Sequence, residues 1–339
     1  MAARQWLFWK EQRLNGCLNG GEGENLPLLI VAGPTATGKT KIAIELALRL
    51  GAEIISADSM QIYRYMDIGT AKPSPEERKL VPHHLIDLIS PAEPFTVADY
   101  QRLFSATCQQ LQENGVLPLL TGGTGLYIRA VTRGYNFPGP PINQELRSSL
   151  RQDAQELGKE EMHRRLAAVD PESAGRIHPN DLKRVLRALE VYLTTGAPIS
   201  SWQKQKRNGK TLPEDTIYIG LARDREELYQ RIELRVDLMI AQGLLEEVRG
   251  LLEKGFGPEL QSMQGLGYKE LAPVVKGQTT LEEAVRLLKK RTRNYAKRQM
   301  TWFKKEPVEK WFFLSGAENE SFPEILAYIE GRIAAMSNK

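Results

Sequence analysis

The sequence contains few cysteines and no long apolar run. Only two of its 339 residues are cysteine, Cys17 and Cys108, so neither a disulfide framework nor a thiolate zinc site is available. No apolar segment approaches the roughly 18 residues of a membrane span. The apolar stretch near the start, Trp6–Trp9, is too short for a secretory signal. These absences predict a cytoplasmic protein that does not insert into a membrane.

The net charge of +4 is mild, but the basic residues are unevenly distributed. From Val285 to Lys305 there are nine Lys and Arg and no Asp or Glu. Arg286, Lys290, Arg293 and Lys297 recur at helical spacing and predict one basic face. Such a face favours contact with nucleic acid, although a solvated helix face is the plainer alternative.

A complete phosphate-binding loop, G-x-x-x-x-G-K-[ST], follows an apolar run and precedes a helical pattern. The loop comprises Gly33, Pro34, Thr35, Ala36, Thr37, Gly38, Lys39 and Thr40. Its glycines let backbone N–H groups turn inward, and the following helix adds partial positive charge. Lys39 can reach phosphate oxygens, and the Thr40 hydroxyl can ligate Mg²⁺. The motif predicts a polyphosphate ligand without saying which one.

Strand-like and helical segments alternate over residues 26–131, which predicts an α/β fold with a parallel, P-loop-type sheet and crossover helices. We expect residues 1–25 to be a loose extension and residues 26–133 to be the first part of the core. Residues 134–213 read as a helical insertion, and residues 214–339 as the completion of the core with the basic helix. The ranges follow from a Pro/Gly cluster at 134–141 and a polar segment at 203–213.

An acid that usually holds Mg²⁺ in ATPases and GTPases is missing here. The candidate strand Val116–Leu120 ends in Thr121–Thr124, without an Asp. The acid at a strand end is instead Asp58, which could be a metal ligand, a base or a turn residue. Because ligands of parallel sheets bind at the carboxyl ends of strands, the P-loop, Asp58 and Thr124 should share one crevice.

Six short motifs together resemble the tRNA dimethylallyltransferase (IPP transferase) family. Besides the P-loop they are Asp58–Arg64, Met66–Pro73, Gly122–Tyr127, Arg176–Asp181 and Lys297–Phe303, and Pro82–His84 agrees as well. The matches run in the family's order from about Leu28 to about Trp311.

The resemblance implies transfer of a dimethylallyl group from dimethylallyl diphosphate to N6 of adenosine 37 of tRNA. The P-loop would then hold the diphosphate with Mg²⁺, which accounts for the missing second acid. Asp58 would be the general base, Thr124 would orient the reacting atoms, and Arg235 would help to neutralise the leaving group.

The resemblance also carries over a set of tRNA-facing positions. They are Asp58, Ser59, Met60, Gln61, Thr124, Arg147, Lys183, Arg184, Arg187, Gln264, Gly265, Leu266, Gly267, Tyr268, Lys269, Lys297, Arg298, Trp302 and Lys304. For Arg184 and Arg187 a salt-bridged helix face is the alternative reading. The segment 264–269, read as a loop, is less basic than a tRNA contact usually is, so its backbone could make the contact.

Two other functions remain open on the sequence. A free-nucleotide isopentenyltransferase would use the same core without needing the basic helix or the insertion. A P-loop small-molecule kinase should add a nucleotide lid. We expect a monomer, since nothing in the sequence requires a dimer.

Overall fold

A computed structural model of the chain describes residues 26–133, 144–204 and 215–337. The chain divides into two compact units. One combines the residues up to 132 with those from 211 onward, and the other comprises residues 133–210. The extension 1–25, the Pro/Gly cluster 134–141 and most of the segment 203–213 lie outside the described residues.

The first unit is built on a parallel sheet, whose strands in the described chain number six. They are β1 (Leu28–Ala32), β2 (Ala52–Ser56), β3 (His83–His84), β4 (Leu117–Gly122), β5 (Thr216–Arg223) and β6 (Lys310–Leu314). Their spatial order is β3-β2-β4-β1-β5-β6, and every pair is parallel. Ala32 pairs with Gly122, so the P-loop and the loop after β4 leave the sheet side by side.

Helices pack on both faces of this sheet. The helices described in this unit are α1 (Lys39–Leu50), α2 (Pro75–Leu80), α3 (Val97–Glu113), α4 (Gly125–Thr132), α10 (Arg225–Ala241), α11 (Leu244–Glu253), α12 (Tyr268–Val275), α13 (Leu281–Phe303) and α14 (Glu318–Ser337). Capping boxes start α3 at Thr96 and α13 at Thr280. One face buries α1 and α14 against β1, and the other buries α3, α12 and α13. Covering both faces explains why β1 is apolar throughout.

The second unit is helical. It contains α5 (Gln144–Leu157), α6 (Lys159–Val169), α7 (Pro171–Ala174), α8 (Leu182–Thr195) and α9 (Ile199–Lys204). Met162, Leu166 and Val185 form the centre of its own core. The buried Asp170 carboxylate accepts the Ser173 and Ser200 N–H groups at 2.9 and 3.0 Å, which fixes the starts of α7 and α9.

The α/β prediction is confirmed, and several strand and helix bounds agree to within two residues. One local prediction was wrong. The segment 264–269 is not a loop throughout, because a 3₁₀ turn covers Ser262–Gln264 and Tyr268 begins a helix. Sequence reasoning also missed the short strand β3 and the helix α4. Among the described residues, no helix is both long and apolar enough to cross a bilayer.

Candidate active site

The P-loop is shaped largely by its own hydrogen bonds. Gly38 adopts φ 99°, a left-handed conformation that favours glycine, and precedes α1 without a side-chain cap. The Thr37 hydroxyl donates to the Pro34 carbonyl at 2.8 Å, and Lys39 Nζ donates to the same oxygen at 2.6 Å. Because no side chain caps α1, the first N–H groups of this helix can donate to an anion at its N-terminus.

Two arginines brace the outer side of this loop. The fully buried Arg223 donates from Nε to the Thr37 carbonyl at 3.2 Å, and Arg231 donates from Nε to the Ala36 carbonyl at 3.1 Å. The Glu318 carboxylate pairs with both guanidinium groups. Sequence reasoning missed this clamp, because Arg223 and Thr37 are 186 positions apart and no short motif joins them.

The Asp58 loop follows β2. Asp58 Oδ1 accepts the Met60 N–H at 2.9 Å, which anchors the carboxylate at the strand end. Gln61 does not reach outward: its Oε1 accepts the Ser56 hydroxyl at 2.9 Å, and its Nε2 donates to the Ala71 carbonyl at 3.2 Å. In this conformation the Gln61 side chain supports the loop, and contact with RNA would require it to exchange these partners.

Thr124 joins the loop after β4 to the Asp58 loop. Its Oγ1 accepts the Ser59 N–H at 3.0 Å, and its N–H donates to the Ala57 carbonyl at 3.0 Å. Gly122 is required for this approach, because a Cβ there would lie 2.3 Å from the Ala57 oxygen. The structure thus brings three strand-end loops together, although they are far apart in the chain.

A cavity of about 90 Å³, open to solvent on one side, lies between these loops. Lys39, Thr40 and Asp58 line it, with Arg235 entering from α10. Burial, and then the Arg235 charge, lowers the pKa of Lys39 to about 7, while Asp58 opposes this. Burial likewise raises the pKa of the Asp58 carboxyl, and the Met60 N–H and the two cations oppose that rise. A lysine and an arginine that face one carboxylate can hold an anion beside it.

A second, larger cavity opens from the same centre. Asp58, Arg235 and Tyr295 line both cavities, so the two meet at the carboxylate. The second cavity is further lined by Ser59, Met60, Gln264, Gly265, Leu266, Gly267, Lys269 and Arg298. The predicted RNA-facing segments before α12 and on α13 therefore converge on this second cavity. Tyr295 of α13 also lies at this centre.

The basic face of α13 is less free than the sequence predicts. Lys290, Lys297 and Arg298 are exposed, as is Lys304 just after the helix. Arg293, however, pairs with Glu233 of α10. The segment 285–305 contains no Asp or Glu of its own, but a neighbouring helix provides one. The sequence pattern could not reveal this pairing.

Two aromatic residues expected at RNA are engaged in packing. The Tyr268 side chain is fully buried, and its hydroxyl donates to Glu247 Oε1 at 2.7 Å. Trp302 is half-buried under the Arg129 guanidinium, 3.9 Å from the ring centroid, and leaves room only for glycine at position 125. For Tyr268 this leaves the backbone as the group that RNA could contact.

The predicted residues of the helical unit fall into two groups. Lys183 and Arg184 are exposed, with Arg184 3.4 Å from Asp181. Arg147 and Arg187 instead converge on the buried Glu190 carboxylate, each at 2.9 Å. Removing either arginine would leave a buried charge less compensated, so both stabilise this unit whatever else they contact.

Fold and site together define a P-loop α/β protein in which Lys39 and Arg235 share one cavity with the Asp58 carboxylate. Residues 61–306 match the family model described as IPP transferase. The chain belongs to the IPP transferase family.

Relatives with assigned activities agree. A tRNA dimethylallyltransferase from Geobacillus thermodenitrificans is 48% identical over 313 residues, covering 92% of this chain and 98% of that protein. A second, from Syntrophobacter fumaroxidans, is 51% identical over 85% of this chain and 84% of its own length.

Solved structures extend the likeness. The tRNA isopentenylpyrophosphate transferase of Bacillus halodurans superposes with a TM-score of 0.69 at 41% identity, over 92% of this chain and 98% of that one. A eukaryotic dimethylallyltransferase acting on tRNA gives a TM-score of 0.74 at 28% identity, over 88% and 75% of the two chains.

Proposed function

We propose that this protein transfers a dimethylallyl group from dimethylallyl diphosphate to N6 of adenosine 37 in tRNA, releasing diphosphate. The observation that carries the proposal is the meeting of two cavities at Asp58, one lined by the P-loop and one by the RNA-facing segments. A donor and a large acceptor can then reach one carboxylate, each from its own cavity. The names of the relatives supply the identity of both substrates.

The P-loop cavity suits a diphosphate leaving group. Lys39 and Arg235 line it, and the uncapped start of α1 adds N–H donors. An allylic C–O bond breaks readily because the resulting cation is delocalised, so neutralising the departing diphosphate is the main catalytic task.

Mg²⁺ fits the P-loop cavity only when the diphosphate is bound there as well. The Thr40 hydroxyl is exposed towards the cavity and is the side chain that would hold the ion. Within the described ranges, no group of three or more His, Cys, Asp or Glu side chains could bind a metal alone. Mg²⁺ characteristically keeps few protein ligands and completes its shell with phosphate oxygens and water. It would supply further charge neutralisation.

The acceptor side suits a weak nitrogen nucleophile. The lone pair of adenine N6 feeds the ring, so its attack benefits from a base that accepts an N6 proton as the new bond forms. Asp58 is held at the junction of the cavities, and the Thr124 hydroxyl reaches the same loop through Ser59. Thr124 would orient the amine or the bridging oxygen.

The acceptor base must leave its stack to reach this depth. The exposed Lys297, Arg298 and Lys304 would hold the phosphates of the anticodon arm, and Lys183 and Arg184 would do so from the helical unit. We propose that the enzyme acts as a monomer in the cytoplasm, where tRNA substrates are available.

The test uses unmodified tRNA with A36, A37 and A38, dimethylallyl diphosphate and Mg²⁺, followed by nuclease digestion and nucleoside mass spectrometry. A prenyl mass on one adenosine that is lost in an A37→G transcript supports reaction and position together. A parallel reaction contains AMP in place of tRNA. Prenylated AMP with unmodified tRNA would overturn the proposal in favour of a free-nucleotide enzyme.

A further inference from the structure

Gln299 bridges the P-loop and the loop that carries Thr124. It lies on α13, one turn after Tyr295, and its side chain is buried. Its Oε1 accepts the Thr35 N–H at 2.9 Å, and its Nε2 donates to the Gly123 carbonyl at 2.8 Å. Thr35 belongs to the P-loop, and Gly123 directly precedes Thr124. One amide therefore joins the two loops that leave β1 and β4.

The chemistry of the two contacts requires an amide. A backbone N–H can only donate and a carbonyl can only accept, so the orientation of the Gln299 amide is fixed by its partners. A carboxylate would place an acceptor against the Gly123 oxygen, and an apolar side chain would satisfy neither group. Gly123 is matched to this arrangement, because a Cβ there would lie 2.4 Å from Gln299 Nε2.

We propose that Gln299 is a positioning residue that sets the distance between the diphosphate cradle and Thr124. Thr124 is then held on two sides, by Gln299 through Gly123 and by the Ala57 carbonyl through its own N–H. Gln299 also lines the first cavity, but both polar atoms of its amide are bonded to the backbone of the two loops. Its contribution is therefore alignment, for which small displacements are costly in rate. The kinetic part of this inference rests on the proposed prenyl transfer.

The test compares Gln299→Met with a matched control, Gln112→Met. Gln112 also uses its amide to bond a distant backbone group, the Leu26 carbonyl at 2.5 Å, but lies away from the cavities. Both variants keep side-chain size; Gln299→Met loses two internal hydrogen bonds and Gln112→Met loses one. We expect Gln299→Met to lower kcat for tRNA prenylation at least tenfold, with the KM of tRNA and of the donor changed less than threefold. Gln112→Met should keep the wild-type kcat.

Amide hydrogen exchange provides a readout that does not need activity. The Thr35 N–H should exchange faster in Gln299→Met and at the wild-type rate in Gln112→Met, since only Gln299→Met removes the acceptor of this N–H. A Gln299→Met kcat within twofold of wild type, or an equal loss in Gln112→Met, would overturn the inference. If Gln299→Met fails to fold, Gln299→Asn, which reaches only one partner, should give an intermediate kcat, and a wild-type kcat there would be equally decisive. An inactive wild type would refute the proposed function, and unaltered Thr35 exchange would then refute the bridge as well.

Discussion

Replacing Asp58 by asparagine separates the hydrogen bond that the structure shows for this carboxylate from the base role proposed for it. One oxygen, Oδ1, accepts the Met60 N–H at 2.9 Å and so shapes the loop. Asparagine retains that acceptor at nearly the same volume but cannot take a proton. Asp58→Asn should therefore preserve the loop while removing the base.

The expected loss follows from these roles. General-base catalysis contributes about 10²–10⁴-fold, or roughly 3–5 kcal/mol of barrier. Asp58→Asn should lower kcat by that factor while leaving tRNA affinity within about threefold. Asp58→Ala should lose, in addition, about 1 kcal/mol of folding free energy with the Met60 hydrogen bond. Because the Asp58 charge raises the pKa of Lys39, either variant also lowers that pKa and weakens donor binding. The donor must therefore be saturating.

The assay is single-turnover prenyl transfer, with tRNA affinity measured separately. Asp99→Asn is the charge-matched control, since the Asp99 carboxylate accepts the Thr96 N–H at the start of α3 and lies outside both cavities. A base must be ionised, and burial raises the pKa of Asp58, so wild-type kcat should fall on the acid side at a pH above that of an ordinary carboxyl. A kcat for Asp58→Asn within tenfold of wild type, or equal losses in kcat and tRNA affinity, would refute the base assignment.

Three further predictions concern the donor, the RNA and the packing. Lys39→Ala should weaken binding of dimethylallyl diphosphate by about 10–150-fold, measured by calorimetry, because a charged hydrogen bond is worth about 1.5–3 kcal/mol; unchanged affinity would contradict the diphosphate cradle. Neutralising the exposed Lys290 and Lys297 together should weaken tRNA binding and reduce its salt slope by about 1.5, and an unaltered slope would mean that this face is merely solvated. Gly125→Ala places a Cβ 2.3 Å from the Trp302 ring. Its overpacking cost of about 1–3 kcal/mol exceeds the 0.5–1 kcal/mol that alanine gains in a helix, so urea unfolding should show a net loss of stability.

Local patterns were sufficient for much of the fold and for the loops of the site. The run Leu28–Ala32, the P-loop and the helix that begins at Lys39 are contiguous, so their geometry follows from neighbouring residues alone. Asp58 and Thr124 follow strands of one parallel sheet, which explains why their convergence could be predicted. The tRNA-facing assignments stay predictions, since they depend on a ligand.

Partners that come from distant parts of the chain could not be predicted. The Arg223 clamp on Thr37 and the bond from Gln299 to Gly123 each join residues more than 170 positions apart. The burial of Tyr268 and the pairing of Arg293 with Glu233 likewise depend on which helix lies alongside. The exposure and ion pairing of a side chain depend on the elements packed against it. Sequence periodicity describes one helix at a time and so cannot predict them.

The sequence by itself determined the parallel α/β core, the P-loop and the acid that faces it, because each depends on short-range backbone geometry and strand order. Only the tertiary structure decided that two cavities meet at Asp58, that Arg223, Arg231 and Glu318 brace the P-loop, and that Gln299 joins it to the loop that carries Thr124. The physical reason is that these contacts exist only once α10, α13 and α14 have packed onto the sheet.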